Sequence, residues 1–319
     1  MARLRCAILD DYQSVALGLV DWEVLADRVE VECFSRHFDS EDDLIDAVKD
    51  YEIVVLMRER TPFTASVFHA LPNLKLVVTS GMKNSAIDLS AAGDVVVCGT
   101  GGTLAPAVEM TWALILGAAR HLVVEAGSIR SGGAWQSTLG MDLRGASLGI
   151  MGLGNVGKQV ASIGLAFGMG VQAWSPNLTA ARAESAGVHL ARSKKELLES
   201  SDVVTIHLKL GPTTQRLITA EDFASMKPSA YLINTARGPI VDELALIDAL
   251  ERRVIAGAGI DVYDQEPLPF DHPLRRSPNL LATPHIGYVT TGNYRRYFKD
   301  AIEDIQAFLD GVPRRVVSA

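Results

Sequence analysis

The stretch Ser147-Leu-Gly-Ile-Met-Gly-Leu-Gly-Asn-Val-Gly157 decides the fold of this chain. Its first five residues form an apolar run typical of a buried strand, and residues 156–167 have the apolar spacing of an amphipathic helix. Between strand and helix, Gly152, Gly154 and Gly157 match the G-x-G-x-x-G fingerprint of dinucleotide-binding turns. The first glycine permits the tight turn, the second lets the backbone approach a pyrophosphate, and the third lets helix and strand pack closely.

The residues around this turn bear on the choice of cofactor. The helix N-terminus, with Asn155 and Val156, offers free N–H groups and a positive dipole end to phosphates. An acidic residue is expected about 20 positions further on, where it would bond the ribose 2′-hydroxyl. Ser175 stands near that place, and no arginine follows it directly. NAD and NADP therefore both remain open, and a glycine-rich turn without ligand is the alternative.

Short Val/Ile-rich runs alternate with helical patterns along almost the whole chain. Apolar strands of this kind are buried on both faces, which is typical of parallel sheets covered by helices. The predicted strands are residues 5–9, 53–57, 76–79, 95–98, 147–151, 171–174, 203–207, 231–234 and 280–283. The sequence predicts an α/β protein with two doubly wound parallel sheets.

The position of the glycine fingerprint predicts how these sheets are divided. A flexible stretch, residues 99–102, precedes a long helical pattern at 106–129. The amphipathic C-terminal pattern at 293–309 has no strand after it, so it is expected to pack on the first domain. We predict a discontinuous, flavodoxin-like substrate domain of residues 1–102 and 286–319, with a Rossmann dinucleotide-binding domain of residues 103–285 inserted.

Composition excludes several classes of protein. With 48% hydrophobic and 21% charged residues, the 319-residue chain is not a disordered protein. A net charge of −8 without a basic block argues against nucleic-acid binding. The most apolar segment, residues 110–119, is too short for a membrane span, which needs about 20 residues. The cysteines are scattered and the histidines do not cluster, so we expect a soluble, cytoplasmic protein without a metal site.

Three later segments place chemically capable side chains just beyond predicted strands. They are residues 234–238 (NTARG), 261–267 (DVYDQEP) and 283–288 (TPHIGY). In open α/β sheets ligands bind beyond the carboxyl ends of the strands, so these loops are expected to converge on the cofactor cleft. Taken singly, an arginine, a glutamate and a histidine in such loops are ordinary surface or buried residues.

Together with the fingerprint, these three motifs resemble the family of D-isomer-specific 2-hydroxyacid dehydrogenases, over nearly the whole chain. The resemblance implies hydride transfer between a nicotinamide cofactor and the CH–OH group of a small 2-hydroxy acid, or the reverse reduction of a 2-keto acid. It implies that His285 transfers the proton, a role suited to imidazole. It also implies that Glu266 fixes the histidine tautomer, and that Arg237 binds the substrate carboxylate with a planar, permanently charged group.

The resemblance assigns further positions. In the cofactor site it places Thr235 and Ala236 along the cofactor and Asp261 on the nicotinamide carboxamide. We interpret His207 as a wall of the cofactor pocket or as a buried residue, because the resemblance gives the proton-transfer role to His285. The substrate-binding positions that the resemblance implies, besides Arg237, are Arg60, Gly81, Met82 and Lys83. The last three form a loop whose backbone amides are expected to bind the substrate carboxylate, with a plain turn as the alternative.

Two other functions remain open. Related folds also serve as non-catalytic, dinucleotide-sensing corepressors, although the intact Arg–Glu–His set argues against that function here. A formate dehydrogenase is the other alternative, and Glu266 argues against it because formate enzymes of this family have glutamine there. The identity of the keto acid and the physiological direction are not predicted.

The resemblance also implies a homodimer. The helical pattern at 106–129 supports this, because Met110, Trp112, Leu114, Ile115 and Leu116 place apolar side chains on more than one face.

Overall fold

A computed structural model describes residues 3–318 of the chain. The chain is divided into two units, each with its own parallel sheet. Unit 1 contains the residues up to Thr103 and those from Thr290 onward, and unit 2 is Leu104–Val289. The chain therefore leaves unit 1, completes unit 2, and returns to unit 1.

Unit 1 is built on a five-stranded parallel sheet with the strand order β2-β1-β3-β4-β5. This is the flavodoxin-like order. The strands are β1 (Leu4–Ile8), β2 (Val29–Cys33), β3 (Ile53–Leu56), β4 (Leu76–Thr79) and β5 (Val96–Gly99).

Unit 2 is built on a seven-stranded parallel sheet with the order β12-β11-β10-β9-β6-β7-β8. With β6 counted as strand 1 of this unit, the order read from β8 is 3-2-1-4-5-6-7, which is the Rossmann order with one additional strand. The topological switch point lies between β6 and β9. The strands are β6 (Ser147–Met151), β7 (Gly170–Trp174), β8 (His189–Leu190), β9 (Val203–Ile206), β10 (Tyr231–Asn234), β11 (Gly257–Ile260) and β12 (Leu280–Ala282).

Helices cover both sheets, and most begin at a side chain that caps them. Ser40 Oγ accepts the Asp43 N–H at one helix start, and Asp242 Oδ1 accepts the Ala245 N–H at another. The helices are α1 (Ala16–Leu19), α2 (Glu41–Val48), α3 (Ala65–Ala70), α4 (Ala105–Ala119), α5 (Leu122–Ser131), α6 (Asn155–Ala166), α7 (Ala180–Glu184), α8 (Lys194–Ser200), α9 (Ala220–Ser225), α10 (Glu243–Glu251) and α11 (Thr291–Leu309).

The predicted α/β class with two doubly wound parallel sheets is confirmed. Every residue of the central strands β3, β4, β9 and β10 is buried, as expected for parallel strands covered on both faces. In unit 2, Leu148 and Ile150 lie in the core on one side of the sheet, while Leu232 and Ile206 lie in the core on the other.

Two features of the fold differ from the predictions. The helical pattern at 106–129 is two helices, because His121 adopts a left-handed backbone conformation with φ 50° and ends the α-helical path. The strands β2, β8 and β11 were not predicted: β2 alternates charged and apolar residues, β8 has only two residues, and β11 has two glycines among its four residues.

The apolar residues of α4 pack within unit 2. Trp112, Leu114 and Ile115 are buried in unit 2, where α4 packs against α6 and the strands β10 to β12. These three side chains are therefore covered by unit 2 itself and do not support the predicted dimer. Among residues 3–318 no single helix is long and apolar enough to cross a membrane; α4 and α5 reach that length only as a pair bent by 63°.

Candidate functional site

The turn from β6 to α6 is closely packed at two of its three glycines. Gly152 has φ +102°, and a Cβ there would lie 2.6 Å from the carbonyl oxygen of His207. A Cβ at Gly157 would lie 2.1 Å from the carbonyl oxygen of Gly152. At Gly154 nothing lies within 4 Å of an added Cβ, so this position is open on the protein side.

The N-terminus of α6 suits an anionic ligand. Its N-cap residue is Gly154, and no side chain there accepts a hydrogen bond from the first helical N–H groups. Asn155 and Val156 form the first turn, where these N–H groups and the positive end of the helix dipole lie. The donors and the open space at Gly154 fit the pyrophosphate of a dinucleotide.

Other predicted cofactor residues lie at the carboxyl ends of neighbouring strands in unit 2. Ser175 directly follows β7, and the last residue of that strand, Trp174, accepts the N–H of Gly152 at 2.9 Å. Thr235 follows β10 and shares a hydrogen bond of 2.8 Å with Thr111 of α4. Ser175 therefore follows a strand that is hydrogen-bonded to the glycine turn.

His207 lies at the switch point, at the end of β9. Its backbone N–H donates to Met151 O at 2.7 Å, and its Nε2 lies 3.0 Å from Thr205 Oγ1. Desolvation of the ring lowers the pKa of His207 to about 3. The imidazole is thus neutral near pH 7, so it can line a cofactor pocket but cannot supply a positive charge to a phosphate.

Asn234, which was not predicted as a site residue, shapes the turn that carries Arg237. Its buried amide donates through Nδ2 to Arg237 O at 2.9 Å, and its Oδ1 accepts the Ala236 N–H at 3.0 Å. Arg237 also donates from Nη1 to Ala236 O at 2.7 Å. The available signal was an asparagine as the last residue of an apolar strand, where a side chain can hydrogen-bond the following turn.

Gly238 connects the Arg237 turn to the segment after β11. A Cβ on Gly238 would lie 2.1 Å from the carbonyl carbon and oxygen of Tyr263 and 2.6 Å from the Asp264 nitrogen. Only glycine allows this approach of two backbones. The arginine turn and the start of the glutamate-bearing segment are therefore in direct contact.

Glu266 and His285, which the sequence predicts as an acid–base pair, are hydrogen-bonded to each other. His285 Nδ1 lies 2.5 Å from Glu266 Oε2, and Glu266 Oε1 accepts the backbone N–H of Tyr263 at 3.0 Å. A carboxylate accepts, so Nδ1 carries a proton, and this contact does not involve Nε2. The Tyr288 ring packs edge-on against the imidazole, with ring centroids 5.2 Å apart.

Asp261 organises the backbone around His285, which has a left-handed φ of 51°. Its carboxylate accepts the Thr283 hydroxyl at 2.7 Å, the Ile286 N–H at 2.8 Å and the Gly287 N–H at 2.7 Å. Burial raises the pKa of Asp261, and these donors act in the opposite direction. A carboxylate has about four acceptor positions, so the predicted contact with a carboxamide stays chemically feasible.

Arg60 lies in unit 1, beyond β3, on a polar cluster that holds its side chain. Arg60 Nη1 donates to Asp10 O at 2.7 Å, and its guanidinium lies 4.5 Å from the centre of the Tyr12 ring. The Asp10 carboxylate in turn accepts the Thr61 hydroxyl at 2.7 Å. The guanidinium is therefore oriented by its own unit.

The predicted substrate loop follows β4, the neighbour of β3. Gly81 is left-handed with φ +90°, and its N–H donates to Thr100 Oγ1 at 2.8 Å. Met82 and Lys83 are exposed at the tip. Asn84 closes the turn by donating to Arg58 O at 2.6 Å and to Thr79 Oγ1 at 2.9 Å.

Among residues 3–318, no group of three or more His, Cys, Asp or Glu side chains could hold a metal ion.

The larger part of the chain matches a known protein family. Residues 112–287 match the family model described as "D-isomer specific 2-hydroxyacid dehydrogenase, NAD binding domain", which supports a nicotinamide cofactor. A D-3-phosphoglycerate dehydrogenase from Bacillus subtilis (strain 168) is 37% identical over 264 residues, covering 81% of this chain and 50% of that protein. The chain spans about half the length of the curated phosphoglycerate dehydrogenases that it matches.

Two further relatives align over nearly their full length. A hydroxypyruvate reductase from Thermotoga maritima is 33% identical over 313 residues, covering 96% of this chain and 98% of that protein. The crystal structure of a phosphoglycerate oxidoreductase from Vibrio cholerae O395 superposes with a TM-score of 0.92 at 36% identity, covering 97% of this chain and 99% of that chain.

The glycine turn predicts different effects for two neighbouring substitutions. Gly157→Ala forces a Cβ into a backbone carbonyl and should lower the free energy of unfolding by about 3 kcal/mol. Gly154→Ala meets open space and should cost less than about 1 kcal/mol, yet it should weaken NADH binding. Urea unfolding and NADH fluorescence titration measure both quantities, and equal losses of stability would contradict the packing argument.

The desolvated His207 ring predicts a histidine that does not titrate near neutrality. Its Cε1–H resonance should stay at the neutral position from about pH 8 to about pH 5, whereas an ordinary histidine has a midpoint near 6.5. Because the unfolded chain gains this proton first, His207 lowers the free energy of unfolding as the pH falls below about 6.5. An NMR midpoint near the ordinary value would show that the ring is solvated.

Proposed function

Because the chain belongs to the D-isomer specific 2-hydroxyacid dehydrogenase family, we propose that it is an NAD(P)-dependent enzyme that interconverts small 2-keto acids and 2-hydroxy acids. The observation that carries the proposal is the Glu266–His285 hydrogen bond at the sheet edge where the Arg237 turn also lies. A proton-transfer group, its orienting carboxylate and a permanent cation are what reduction of a keto acid requires.

Each side chain of this set has a distinct task in the reaction. A reduced nicotinamide cofactor, held at the glycine turn, would supply the hydride that reduces C2 of the keto acid. Protonated His285 gives its Nε2 proton to the carbonyl oxygen, so the product is the 2-hydroxy acid and the ring becomes neutral. Glu266 stabilises the imidazolium before transfer and keeps the remaining proton on Nδ1. Arg237 binds the substrate carboxylate and polarises the keto oxygen as negative charge develops there.

We further propose that unit 1 is the substrate domain and that unit 2 is the cofactor domain. In unit 1, Arg60 and the loop Gly81, Met82 and Lys83 lie at the carboxyl ends of adjacent strands, where ligands bind in open α/β sheets. The Gly81 N–H is already donated to Thr100 Oγ1, so the positive charges of Arg60 and Lys83 and the backbone N–H groups of Met82 and Lys83 are the features that suit an anionic substrate. In unit 2 the cofactor would be held at Gly152 to Gly157, with Thr235, Ala236 and Asp261 beside the nicotinamide.

We propose that the residue after β7 determines whether NAD or NADP is bound. Ser175 stands where a carboxylate would bond the 2′-hydroxyl of NAD and repel the 2′-phosphate of NADP. A serine hydroxyl can donate to either group. We infer that the protein accepts both cofactors, so that NADH and NADPH should each support turnover.

The proposed reaction is tested with a panel of small keto acids, including glyoxylate and hydroxypyruvate, using NADH and NADPH. His285→Ala should lower kcat by about 10²–10⁴-fold with little change in cofactor binding, because the ring only transfers the proton. His69→Ala, on the exposed end of α3, is the matched control and should keep full activity. Full activity of His285→Ala would refute the mechanism; cofactor binding without turnover across the panel would favour the sensor function.

We also propose a homodimer, formed through α5 and the arm that follows it, residues 133–141. None of the residues of α5 is buried, and the arm holds Trp135 at 79% and Leu139 at 94% exposure. The other exposed apolar residues of this surface are Leu122, Val123, Val124 and Ile129. Monomeric proteins rarely expose contiguous apolar patches larger than roughly a few hundred Å².

The arm is braced rather than loose. Glu125 Oε1 accepts the Ser137 N–H at 3.0 Å and the Thr138 hydroxyl at 2.6 Å, and Ser128 donates to Ala134 O at 2.8 Å. These bonds hold the polar groups of the arm on α5 while its largest apolar side chains point outward. The projecting side chains lie on the same surface as a groove lined by Leu122, Ile129 and Trp135. In a dimer with two-fold symmetry, the projecting side chains of each copy can therefore enter the groove of the other.

The dimer surface predicts that Leu139→Asp converts the protein to a monomer. The side chain is 94% exposed, so the fold should be unaffected while a charge enters the proposed interface. Phe270→Asp is the matched control, because Phe270 is 89% exposed elsewhere on unit 2. Light scattering coupled to gel filtration gives the mass of each variant, and a monomeric wild-type protein would refute this dimer.

A further inference from the structure

The segment that carries Glu266 has no regular secondary structure. It lies between the end of β11 at Ile260 and a 3₁₀ turn at Pro273–Arg275, and residues 264–267, 270 and 271 are exposed. Exposed irregular segments with few packed contacts open easily. Glu266 must nevertheless stay within hydrogen-bond reach of His285, so something has to hold the segment in place.

Glu243, the first residue of α10, contacts both ends of this segment. Its Oε2 accepts the backbone N–H of Asp264 at 3.4 Å, two residues before Glu266. Its Oε1 lies 3.1 Å from Nε2 of His272, at the other end. The two side chains are only 17% and 20% exposed. One carboxylate therefore joins the start and the end of the Glu266 segment to a helix.

The tautomer of His272 follows from its second contact. His272 Nδ1 accepts the Leu274 N–H at 3.3 Å, so that nitrogen is unprotonated and the ring proton lies on Nε2. That N–H donates to Glu243 Oε1. Hydrogen bonds to a charged acceptor are stronger than those between neutral groups. Leu274 is buried at 2% exposure, so the acceptor nitrogen of His272 is held from a packed position.

The anchor on the helix side is also defined. Asp242 caps α10 by accepting the Ala245 N–H at 3.1 Å, and a carboxylate at the first helical position is favoured by the helix dipole. Within the segment, Arg275 donates to the carbonyl oxygens of Leu268 and Pro269 at 2.6 and 2.7 Å. These two hydrogen bonds further restrict the conformations that the segment can adopt.

We propose that Glu243 and His272 form a clasp that holds the Glu266 segment, and that Glu243 is a positioning residue for the proton transfer. This inference rests on the proposed function of the Glu266–His285 pair. The clasp touches neither Glu266 nor His285 by side chain; it acts by fixing the backbone from which Glu266 reaches the histidine.

The first test measures kcat and KM separately. Glu243→Ala and His272→Ala should each lower kcat by about tenfold to a hundredfold, because small misplacements of catalytic groups have effects of that size. KM for the keto acid and the Kd of NADH should change little. His272→Gln keeps a donor for Glu243 and should restore most of kcat. Asp248→Ala, which breaks an ion pair of 3.0 Å on the same helix, is the control.

The second test asks whether the effect passes through Glu266. In a Glu266→Gln background the orienting carboxylate is already lost, so Glu243→Ala should cause no further fall in kcat. A merely structural role would lower kcat equally in both backgrounds, and that result would overturn the proposal. If Glu243→Ala does not fold, Glu243→Gln retains one of the two hydrogen bonds and should show an intermediate loss.

A third readout does not depend on turnover. Hydrogen exchange followed by mass spectrometry should show faster exchange of residues 263–275 in Glu243→Ala than in the wild-type protein and in Asp248→Ala. Unchanged exchange in this segment would refute the clasp. If the wild-type protein lacks activity on every keto acid, the proposed function fails, while the exchange experiment still decides whether the clasp exists.

Discussion

The carboxylate of Asp261 lies at the end of β11, 1% exposed, and accepts three hydrogen bonds from Thr283, Ile286 and Gly287. Burying a carboxylate costs several kcal/mol, and hydrogen bonds to a charged group return about 1.5–3 kcal/mol each. The carboxylate is therefore stable only while all three donors surround it, which forces the chain after β12 into one path. His285 sits on that path in a left-handed conformation, so its orientation toward Glu266 depends on a residue that does not touch its ring.

Close approach of backbones is the second constraint on the same edge of the sheet. At Gly152, Gly157 and Gly238 an added Cβ would lie 2.6 Å or less from a backbone atom. Backbone cannot rotate away as a side chain can, so these contacts bring the cofactor turn, the arginine turn and the Glu266 segment to fixed positions. Gly154 is the exception, since nothing lies within 4 Å of an added Cβ there, and the protein's own packing therefore does not require glycine at this position.

Sequence patterns predicted most of the central strands because parallel strands buried on both faces form continuous apolar runs, as in β9 and β10. The inner strand β11 was missed because two of its four residues are glycine. Helix α4 shows the limit: an all-round apolar helix is either core or interface, and periodicity cannot distinguish the two. The Arg–Glu–His set was predicted from the resemblance that the three ordered motifs carry, and its place beyond the strand ends agreed with that resemblance. The supporting bonds of Asn234 and Asp261 were not predicted, because side-chain bonds to backbone N–H and C=O groups depend on turn geometry.

The chain carries a net charge of −8, although the proposed cofactor and substrate are both anions. Fixed dipoles explain how unit 2 can accept phosphates: the open N-terminus of α6 offers N–H groups, while His207 is kept neutral by desolvation. A neutral ring there avoids the cost of burying a charge that no carboxylate balances. Permanent charge is placed instead at Arg237, beyond the end of β10, where a substrate carboxylate needs a partner whose charge does not depend on pH. In the proposed reaction, dipoles would thus hold the cofactor and a cation would hold the substrate, so a chain of net charge −8 can still bind two anions.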